Sequence, residues 1–369
     1  MRKIAFHLNS LGFGGAERVV SNLANRFHRD GVEVVIATEW QEAQEYALDA
    51  GVRRVHVGLR KEDEGLDRVR KYLRRITYLR RFMQEEQPDV LVAFARLALY
   101  RALMACRGTG VPVVVSVRID PWHDYVGPRN RFLTWRYMKR AAGAVFQTED
   151  AKRFFHPWLQ DGRVIFNPIN EKYIGRPFQA PVRKEIVHVA RLTDFKNQPL
   201  LVDAFAIVSS RYPAYVLKIY GPDSGDGSLE RIRERIAVHH LEEKVQLMGL
   251  CDRLEEVLPG AAAFVCSSDY EGMPNSLLEA MALGLPVVST DCPPGGPRMA
   301  IEDGVNGLLV PVGNVDRLAE GICRLIEHPE EAAAFGQRAM RICEVAGNEA
   351  VFAEWKKYLG EITGGTVTI

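Results

Sequence analysis

The chain has 369 residues, of which 47% are hydrophobic, 26% charged and 9% aromatic, and 48 basic side chains nearly balance 47 acidic ones. This composition is that of a globular protein and excludes a disordered, fibrous or disulfide-framework chain. The length predicts two domains, because a domain has roughly 100 to 200 residues. No apolar stretch reaches the roughly 20 residues that span a bilayer, and the start is unlike a signal peptide, so we expect a cytoplasmic protein.

The net charge changes sign along the chain. Residues 1–175 carry 29 basic and 20 acidic side chains, whereas residues 176–369 carry 19 basic and 27 acidic ones. This asymmetry indicates that the first half meets an anionic partner or surface. The six cysteines are scattered, which favours buried free thiols over a metal site.

The first half alternates strand and helix patterns. The apolar run 3–8 leads into a glycine-rich loop and an amphipathic helix, and strand 33–38 follows. A helix is predicted over 66–83. Further strands are predicted at 90–94, 111–117, 144–148 and 164–167.

The pattern restarts after an aperiodic, proline-containing linker at 167–182. Strands are predicted at 185–190, 215–220, 245–248, 262–266, 286–290 and 307–310, with helices at 199–211, 228–239, 275–283 and 315–328. We therefore predict an α/β protein with two doubly wound, Rossmann-like domains, 1–170 and 171–349, facing a central cleft. A last helix within 350–369 has a wide apolar stripe, and we expect it to pack back on the first domain.

Two groups of loop residues suit an anionic ligand. The loop from Gly12 to Gly15 opens a helix, whose free amides attract anions; a packing turn without a ligand is the alternative. Glu39 follows the second strand, where a dinucleotide-binding acid would lie, but Glu17 stands where that fingerprint has its third glycine. After strand 185–190, Arg191 and Lys196 suit a diphosphate, although such residues are often solvated.

The segment 267–282 carries the strongest signal. Gly272 frees the loop, Pro274 fits the first helical turn, and the amides near Asn275 face the sheet edge, where they could bind phosphate. Glu271 lies in the loop and Glu279 about one turn into the helix. Each could accept hydrogen bonds from vicinal sugar hydroxyls. Glu279 as a surface residue is the alternative, although its neighbours are apolar.

These motifs, LGFGGAERVV, VARLTDFKN and EGMPNSLLEAMALGLPVVST, together resemble the retaining glycosyltransferases of family 4, which have the GT-B fold. Within that family the chain looks most like bacterial enzymes that extend lipid-linked oligosaccharides for capsule, O-antigen or protein glycosylation. The resemblance implies a nucleotide-sugar donor, with UDP favoured over GDP, a saccharide acceptor and no catalytic metal.

The resemblance also implies residue roles. Arg191 and Lys196 would hold the diphosphate, Glu279 the ribose, and Glu271 the hydroxyls of the donor sugar. Backbone groups would approach the phosphates and the sugar at Gly14, Gly15, Gly272, Met273, Pro274, Asn275, Ser276 and Leu277. Two departures from the family pattern are Arg118, where relatives often place a histidine, and Arg298 with Met299, where they often place a glutamate. Arg118 cannot be a general base and could bind an acceptor phosphate or sugar, with His123 nearby as the less favoured substitute.

The acceptor side is basic. On the predicted helix 66–83, Arg68, Lys71 and Arg75 belong to a dense set of cations beside an apolar face. Such a helix could contact anionic lipid headgroups or the diphosphate of a polyprenyl carrier, and a solvated face is the alternative. A second basic stretch at 129–140 includes aromatic residues, which favours a membrane surface, the inner face of the cell membrane. No nucleic-acid motif accompanies this charge.

Three hypotheses follow: a nucleotide-sugar transferase, a nicotinamide-dependent enzyme that uses Gly12 to Gly15 and Glu39, and a noncatalytic nucleotide- or sugar-binding module. The missing third glycine counts against the second hypothesis. A noncatalytic binding module, the third hypothesis, would not need the combination of two cations and two acids.

Overall fold

The computed structural model describes residues 1–12, 14–159 and 161–364. Phe13 of the predicted glycine loop, and residues 365–369 at the end of the predicted last segment, lie outside the described residues. The chain divides into two compact units, one of Met1–Pro168 together with the chain from Glu349 onward, and one of Ile169–Asn348.

The first unit is a parallel sheet of seven strands in the order β3-β2-β1-β4-β5-β6-β7. Its strands are β1 (Lys3–Leu8), β2 (Glu33–Thr38), β3 (Arg53–His56), β4 (Val90–Phe94), β5 (Val113–Ser116), β6 (Gly143–Phe146) and β7 (Gly162–Val164). Its helices up to Pro168 are α1 (Gly15–Arg29), α2 (Arg68–Glu86), α3 (Arg96–Ala105), α4 (Pro121–Asp124), α5 (Pro128–Tyr137) and α6 (Glu149–Phe155), with 3-10 turns at Lys61–Asp63 and Met138–Arg140.

The second unit is a parallel sheet of six strands in the order β10-β9-β8-β11-β12-β13. Its strands are β8 (Arg183–Val189), β9 (Val216–Tyr220), β10 (Val245–Gly249), β11 (Ala261–Cys266), β12 (Val287–Thr290) and β13 (Leu308–Val310). Its helices are α7 (Gln198–Arg211), α8 (Ser228–Val238), α9 (Leu254–Val257), α10 (Asn275–Ala282), α11 (Gly296–Ala300), α12 (Val315–Glu327), α13 (Pro329–Ala339) and α14 (Ile342–Ala346), with 3-10 turns at Glu171–Tyr173 and Asp194–Lys196.

The predicted α/β class and the doubly wound sheets are confirmed. In each sheet the strand order reverses direction once, between β1 and β4 and between β8 and β11. Ligands of open parallel sheets bind at such switch points, outside the carboxyl ends of the strands. The loops after β1, β8 and β11 carry the glycines, cations and acids that the sequence indicated.

Strands 3–8, 33–38 and 90–94 match the predictions to the residue, most of the others differ by one or two residues at an end, and two differences are larger. β3 was not predicted, because its Arg-Arg-Val-His sequence has no apolar run, as suits a partly exposed edge strand. The last predicted strand of the first half is wrong in its bounds, since β7 ends at Val164. Beyond it, the buried amide of Asn167 bonds Arg118 and Gln147 instead of continuing the sheet.

The last helix, α15 (Asn348–Ile362), buries its apolar stripe in the first unit. The Trp355 ring is fully buried and stacks on Phe94 of β4, with ring centroids 6.1 Å apart. The Tyr358 hydroxyl accepts a hydrogen bond of 2.9 Å from the amide of Ala144. A Cβ at Gly143 would lie 2.1 Å from that hydroxyl, so β6 needs glycine where α15 packs.

Truncation of this helix's anchor tests the packing. Trp355→Ala should lower the stability of the first unit by about 3–5 kcal/mol, the usual cost of removing a buried Trp or Phe side chain. Urea unfolding followed by circular dichroism measures it. The exposed Lys357→Ala on the same helix is the control and should change stability by less than about 0.5 kcal/mol. Equal midpoints for the two variants would contradict the assigned packing.

Candidate functional site

The loops after β8 and β11 are joined by hydrogen bonds at the switch point of the second sheet. The Ser267 hydroxyl donates to the carbonyl of Lys196 at 2.9 Å, and the amide of Asp269 donates to the carbonyl of Phe195 at 2.8 Å. The Asn197 side chain donates to Asp269 Oδ1 at 2.8 Å. Asn197 has a left-handed backbone with φ of 47° and also caps α7. These bonds hold the two loops in one register.

Lys196 and Glu271, one from each loop, form a direct ion pair, with the ammonium donating to Glu271 Oε2. Their side chains are only 14% and 16% exposed. Burial by itself would lower the pKa of Lys196, but the charge of Glu271 and its hydrogen bond outweigh burial, so the pKa is raised. The site therefore holds a charged lysine, shielded from water, at the end of the sheet.

Glu271 is held by a third loop, which follows β12. Its amide donates to the carbonyl of Pro293 at 2.8 Å. Directly after that loop, at the start of α11, a Cβ at Gly296 would lie 1.8 Å from the carbonyl oxygen of Gly272, so only glycine permits this backbone approach. Tight backbone contact thus sets the height of Glu271 above the sheet.

Helix α10 begins directly beyond this loop. Pro274 is its N-cap residue, not part of its first turn as predicted, because the helical backbone starts at Asn275. Asn275, Ser276 and Leu277 form the first turn, and only the last of them donates its amide to Pro274, at 3.1 Å. Glu279, one turn on, is 7% exposed among buried apolar neighbours, so it is not the solvated surface residue that the alternative required.

Arg191 lies on the same loop as Lys196 but is exposed. Its carbonyl accepts a hydrogen bond of 3.1 Å from the Gln198 side chain, which fixes the backbone at this position. Arg298 pairs with Asp291, with Nε and Oδ1 2.6 Å apart. The cation at the position of the family's usual glutamate thus has an acidic partner of its own.

The glycine loop of the first unit leads from β1 into α1. Gly14 is the N-cap residue of α1, its amide donates to the carbonyl of Gly12 at 2.7 Å, and Gly15 begins the helix. Gly12 forms an isolated bridge with Glu45. The backbone turns into the helix here, and the N-cap residue, a glycine, has no side chain that could cap the helix.

Glu39 is buried beside this loop. Its carboxylate lies 2.5 Å from the guanidinium of Arg101 and 2.9 Å from that of Arg75. Arg101 also donates to the Asn9 side chain at 2.9 Å. The ribose-binding role that the nicotinamide hypothesis gave to Glu39 is wrong, because two arginines hold this carboxylate inside the unit. Arg75, expected on the acceptor side, has this internal partner.

The other acceptor-side residues lie on separate elements of the first unit. Arg118 follows β5, and His123 lies on α4, where its Nδ1 is 3.2 Å from the carboxylate of Asp120. Arg68 begins α2 and is exposed, and Lys71 is half-buried one turn later.

The residues that the structure describes contain neither a metal-binding cluster nor a membrane-spanning helix. No group of three or more His, Cys, Asp or Glu side chains there could hold a metal ion. None of the described helices is both long enough and apolar enough to cross a membrane.

Both units match known families. Residues 172–341 match the glycosyl transferases group 1, and residues 13–173 match glycosyltransferase family 4. The chain belongs to these family 4 glycosyltransferases, and its two Rossmann-like units are those of the GT-B fold. The predicted family and fold are confirmed.

Similar proteins span the whole chain. An uncharacterized glycosyltransferase of Haemophilus influenzae is 24% identical over 97% of this chain and 100% of its own length. An N-acetylgalactosamine-N,N'-diacetylbacillosaminyl-diphospho-undecaprenol 4-alpha-N-acetylgalactosaminyltransferase of Campylobacter jejuni is also 24% identical, over 97% of this chain and 100% of its own. The crystal structure of Anabaena HepE in complex with UDP has a TM-score of 0.81 at 18% identity, covering 98% of this chain and 100% of that chain.

The residues that join the loops were not among the sequence candidates. Asn197 precedes Gln198 and Pro199 at the start of a helix, which is a capping signature that could have singled it out. Asp269 had no such signal, because its partner is distant in the sequence, and the same is true of Arg101, which holds Glu39 and Asn9 in the first unit.

Removing the acid of the buried pair tests its electrostatics. In Glu271→Gln the pKa of Lys196 should fall, because burial then acts without the opposing charge. NMR titration of the lysine side chain measures this. Glu185→Gln, which removes the acid from the pair with Lys218, is the matched control and should leave Lys196 unchanged. The pair requires a protonated lysine, so its contribution to the free energy of unfolding of the wild type should be lost as the pH rises through the raised pKa of Lys196. Glu271→Gln has no such pair and should show no such loss. An unchanged Lys196 pKa in Glu271→Gln would contradict the pairing.

Proposed function

We propose that the protein is a retaining glycosyltransferase that moves a hexose or N-acetylhexosamine from a UDP-sugar to a saccharide acceptor carried on a lipid, in surface polysaccharide or glycan synthesis. The buried pair of Lys196 and Glu271 at the switch point of the second sheet carries this proposal. A buried lysine that is kept charged is suited to a phosphate oxyanion, and a carboxylate is a partner that a phosphate can replace.

The donor would replace Glu271 as the partner of Lys196. In this proposal the diphosphate takes over Lys196, with Arg191 as the second cation, and Glu271 turns to hydroxyls of the donor sugar. Glu279 would accept hydrogen bonds from the ribose. The amides at the start of α10 add a positive end to the site. Lys196 and Glu271 thus have partners both before and after the donor binds.

The proposed chemistry retains the anomeric configuration. An acceptor hydroxyl attacks the anomeric carbon from the face that the diphosphate leaves, the bond to the phosphate oxygen breaks, and the proton passes to the departing phosphate. Charge accumulates on that phosphate, so Arg191 and Lys196 supply the main stabilisation of the transition state. This route uses no metal or cofactor, so transfer is expected to persist in EDTA.

Two comparisons support the choice of substrates. Anabaena HepE was solved in complex with UDP, which favours uridine as the carrier. The name of the Campylobacter jejuni relative describes an acceptor on diphospho-undecaprenol and an alpha-linked product. A lipid-linked saccharide is therefore the acceptor that we propose.

Binding and turnover of UDP-sugars test the assignment. Lys196→Gln should weaken UDP binding about 10- to 100-fold, the effect of losing a charged hydrogen bond of about 1.5–3 kcal/mol. The same variant should lower kcat about 100-fold or more. Calorimetry and a transfer assay with UDP-glucose and UDP-N-acetylglucosamine measure the two effects. Lys218→Gln, from a similarly shielded Lys–Glu pair on the same sheet, is the control. Tight UDP binding without transfer to any saccharide would indicate a noncatalytic module, and binding of NADH but no UDP-sugar would overturn the proposal.

The basic surface of the first unit supports a peripheral membrane position. We define this surface by the exposed apolar residues Val69 and Leu73 of α2 and Phe132 and Trp135 of α5, which are 67%, 55%, 58% and 49% exposed. The buried residues of α2 are Leu79, Phe82 and Met83, in its second half, whereas Val69 and Leu73 in its first half are exposed.

The charge of this surface is of one sign. Residues 68–84 contain seven basic and no acidic side chains, and residues 125–148 contain five basic and none acidic. The Lys139 ammonium lies 4.8 Å from the centre of the Trp135 ring. Aromatic and aliphatic side chains among cations are typical of a surface that binds anionic lipid headgroups.

Vesicle sedimentation tests the membrane position. The chain should bind vesicles of phosphatidylcholine with phosphatidylglycerol more tightly than vesicles of phosphatidylcholine alone, and salt should weaken this binding. Phe132→Ser with Trp135→Ser should weaken it at least about tenfold, because each large side chain contributes about 1.5–3 kcal/mol when buried. Val182→Ser with Val238→Ser, which removes two exposed valines from the other unit, is the control. Equal binding of both double variants would refute the proposed surface.

A further inference from the structure

Arg118 differs from the other shielded cations named above, because it has neutral partners only. Its Nε donates to the Ser116 hydroxyl at 2.7 Å and its Nη1 to the Asn167 side chain at 2.6 Å. Arg101 and Lys196, by contrast, each contact a buried carboxylate. Among the described residues no carboxylate lies within 4 Å of the Arg118 guanidinium, although its Nη2 is shielded from solvent and has no hydrogen-bond acceptor.

The surroundings of Arg118 make this charge costly. The guanidinium lies 5.3 Å from the centre of the Phe94 ring and 5.6 Å from that of Trp355. Aromatic faces attract a cation only weakly compared with a carboxylate. Burial accordingly lowers the pKa of Arg118 to about 9. A shielded cation whose partners are all neutral is better accounted for by a ligand that brings the anion than by the stability of the fold.

The Arg118 guanidinium also keeps N–H donors that suit an oxyanion. A guanidinium has five N–H groups in one plane. Two of them are used by Ser116 and Asn167, which leaves one N–H on Nη1 and two on Nη2. Because Nη2 is shielded from solvent, a bidentate oxyanion reaches this end of the fork only if the side chains around it move apart. Asn167 is in turn held by the amide of Gln147 at 3.0 Å, so the plane of the guanidinium is fixed in advance. Arg118 follows β5, at the carboxyl edge of the first sheet, where ligands of such sheets bind.

We infer that Arg118 binds an oxyanion of the saccharide substrate in a bidentate manner, so that the enzyme's substrate carries a phosphate or a sugar carboxylate in addition to the leaving diphosphate. This inference rests on the proposed function and narrows its substrate to an acidic one. A phosphate points to the acceptor's carrier, and a carboxylate points to a uronic-acid sugar. Both offer the pair of oxygens that the fork fits.

Titrations with two small anions test the inference. The probes are inorganic phosphate and D-glucuronate, with D-glucose as the neutral control, at constant ionic strength and with saturating UDP to fill the proposed diphosphate site. Isothermal calorimetry of the full chain should detect at least one of the two anions. The variant Arg118→Gln should weaken that anion's binding at least tenfold. The variant Arg163→Gln, which removes another arginine of the same unit that pairs with Glu361, should leave it unchanged.

The outcomes separate the sources and the two proposals. Arg118-dependent binding of phosphate alone assigns the site to a phosphate, and Arg118-dependent binding of glucuronate assigns it to an acidic sugar. Anion binding that Lys196→Gln abolishes and Arg118→Gln leaves intact belongs to the donor site and overturns the inference, as does binding of neither anion. Failure of the proposed function appears separately, as failure of UDP to bind to the wild type.

A second variant guards against a folding defect. Should circular dichroism show that Arg118→Gln is unfolded, Arg118→Lys keeps a cation but loses the planar fork. It should weaken the anion's binding at least fivefold while UDP binding stays unchanged. Unaltered anion binding in Arg118→Lys would overturn the bidentate assignment.

Discussion

A lysine and a glutamate, held together away from water at the end of one sheet, are the interaction on which this site depends. Removing two charges from water is expensive, and an apolar pair of the same volume is often as stable or more so. The presence of such a pair is therefore weak evidence that it stabilises the fold. Its position in the fold says more about its role. Lys196 and Glu271 belong to the two loops that leave the sheet on either side of its switch point.

The fold makes this meeting possible through backbone contacts. Parallel strands β8 and β11 are neighbours, so their following loops start side by side although about 75 residues separate them in sequence. Asn197 and Ser267 join these loops, and the close approach of Gly296 to Gly272 supports the acid from behind. The lysine and the acid are thus brought together by a rigid frame that exists before any ligand arrives.

The first unit uses charge differently. Arg101 and Arg75 neutralise Glu39 inside the unit, and Arg101 also holds Asn9 at the start of the glycine loop. Arg118 lies at the same sheet edge with neutral partners only. Arg101 therefore positions the chain, whereas we infer that Arg118 keeps its charge for a ligand. Sequence position alone does not distinguish them.

Local pattern predicted most of the fold and part of the site. Strand 33–38 was predicted to the residue, because its apolar run is bounded by polar residues on both sides. The basic edge strand β3 was missed, because its sequence lacks an apolar pattern. Lys196 and Glu271 were identified as candidates from motif and chemistry, and their contact was not, since it depends on which strands are neighbours. Glu39 was given a ligand role because it follows the second strand. Its arginine partners could not be read from the sequence, since they lie 36 and 62 residues away.

A crystal structure of the chain with UDP tests the central claim most directly. The account predicts that Lys196 Nζ lies within hydrogen-bonding distance of a phosphate oxygen and no longer contacts Glu271, while the uracil and ribose lie beside the same sheet edge. UDP bound elsewhere, with the lysine and the glutamate still paired, would contradict it.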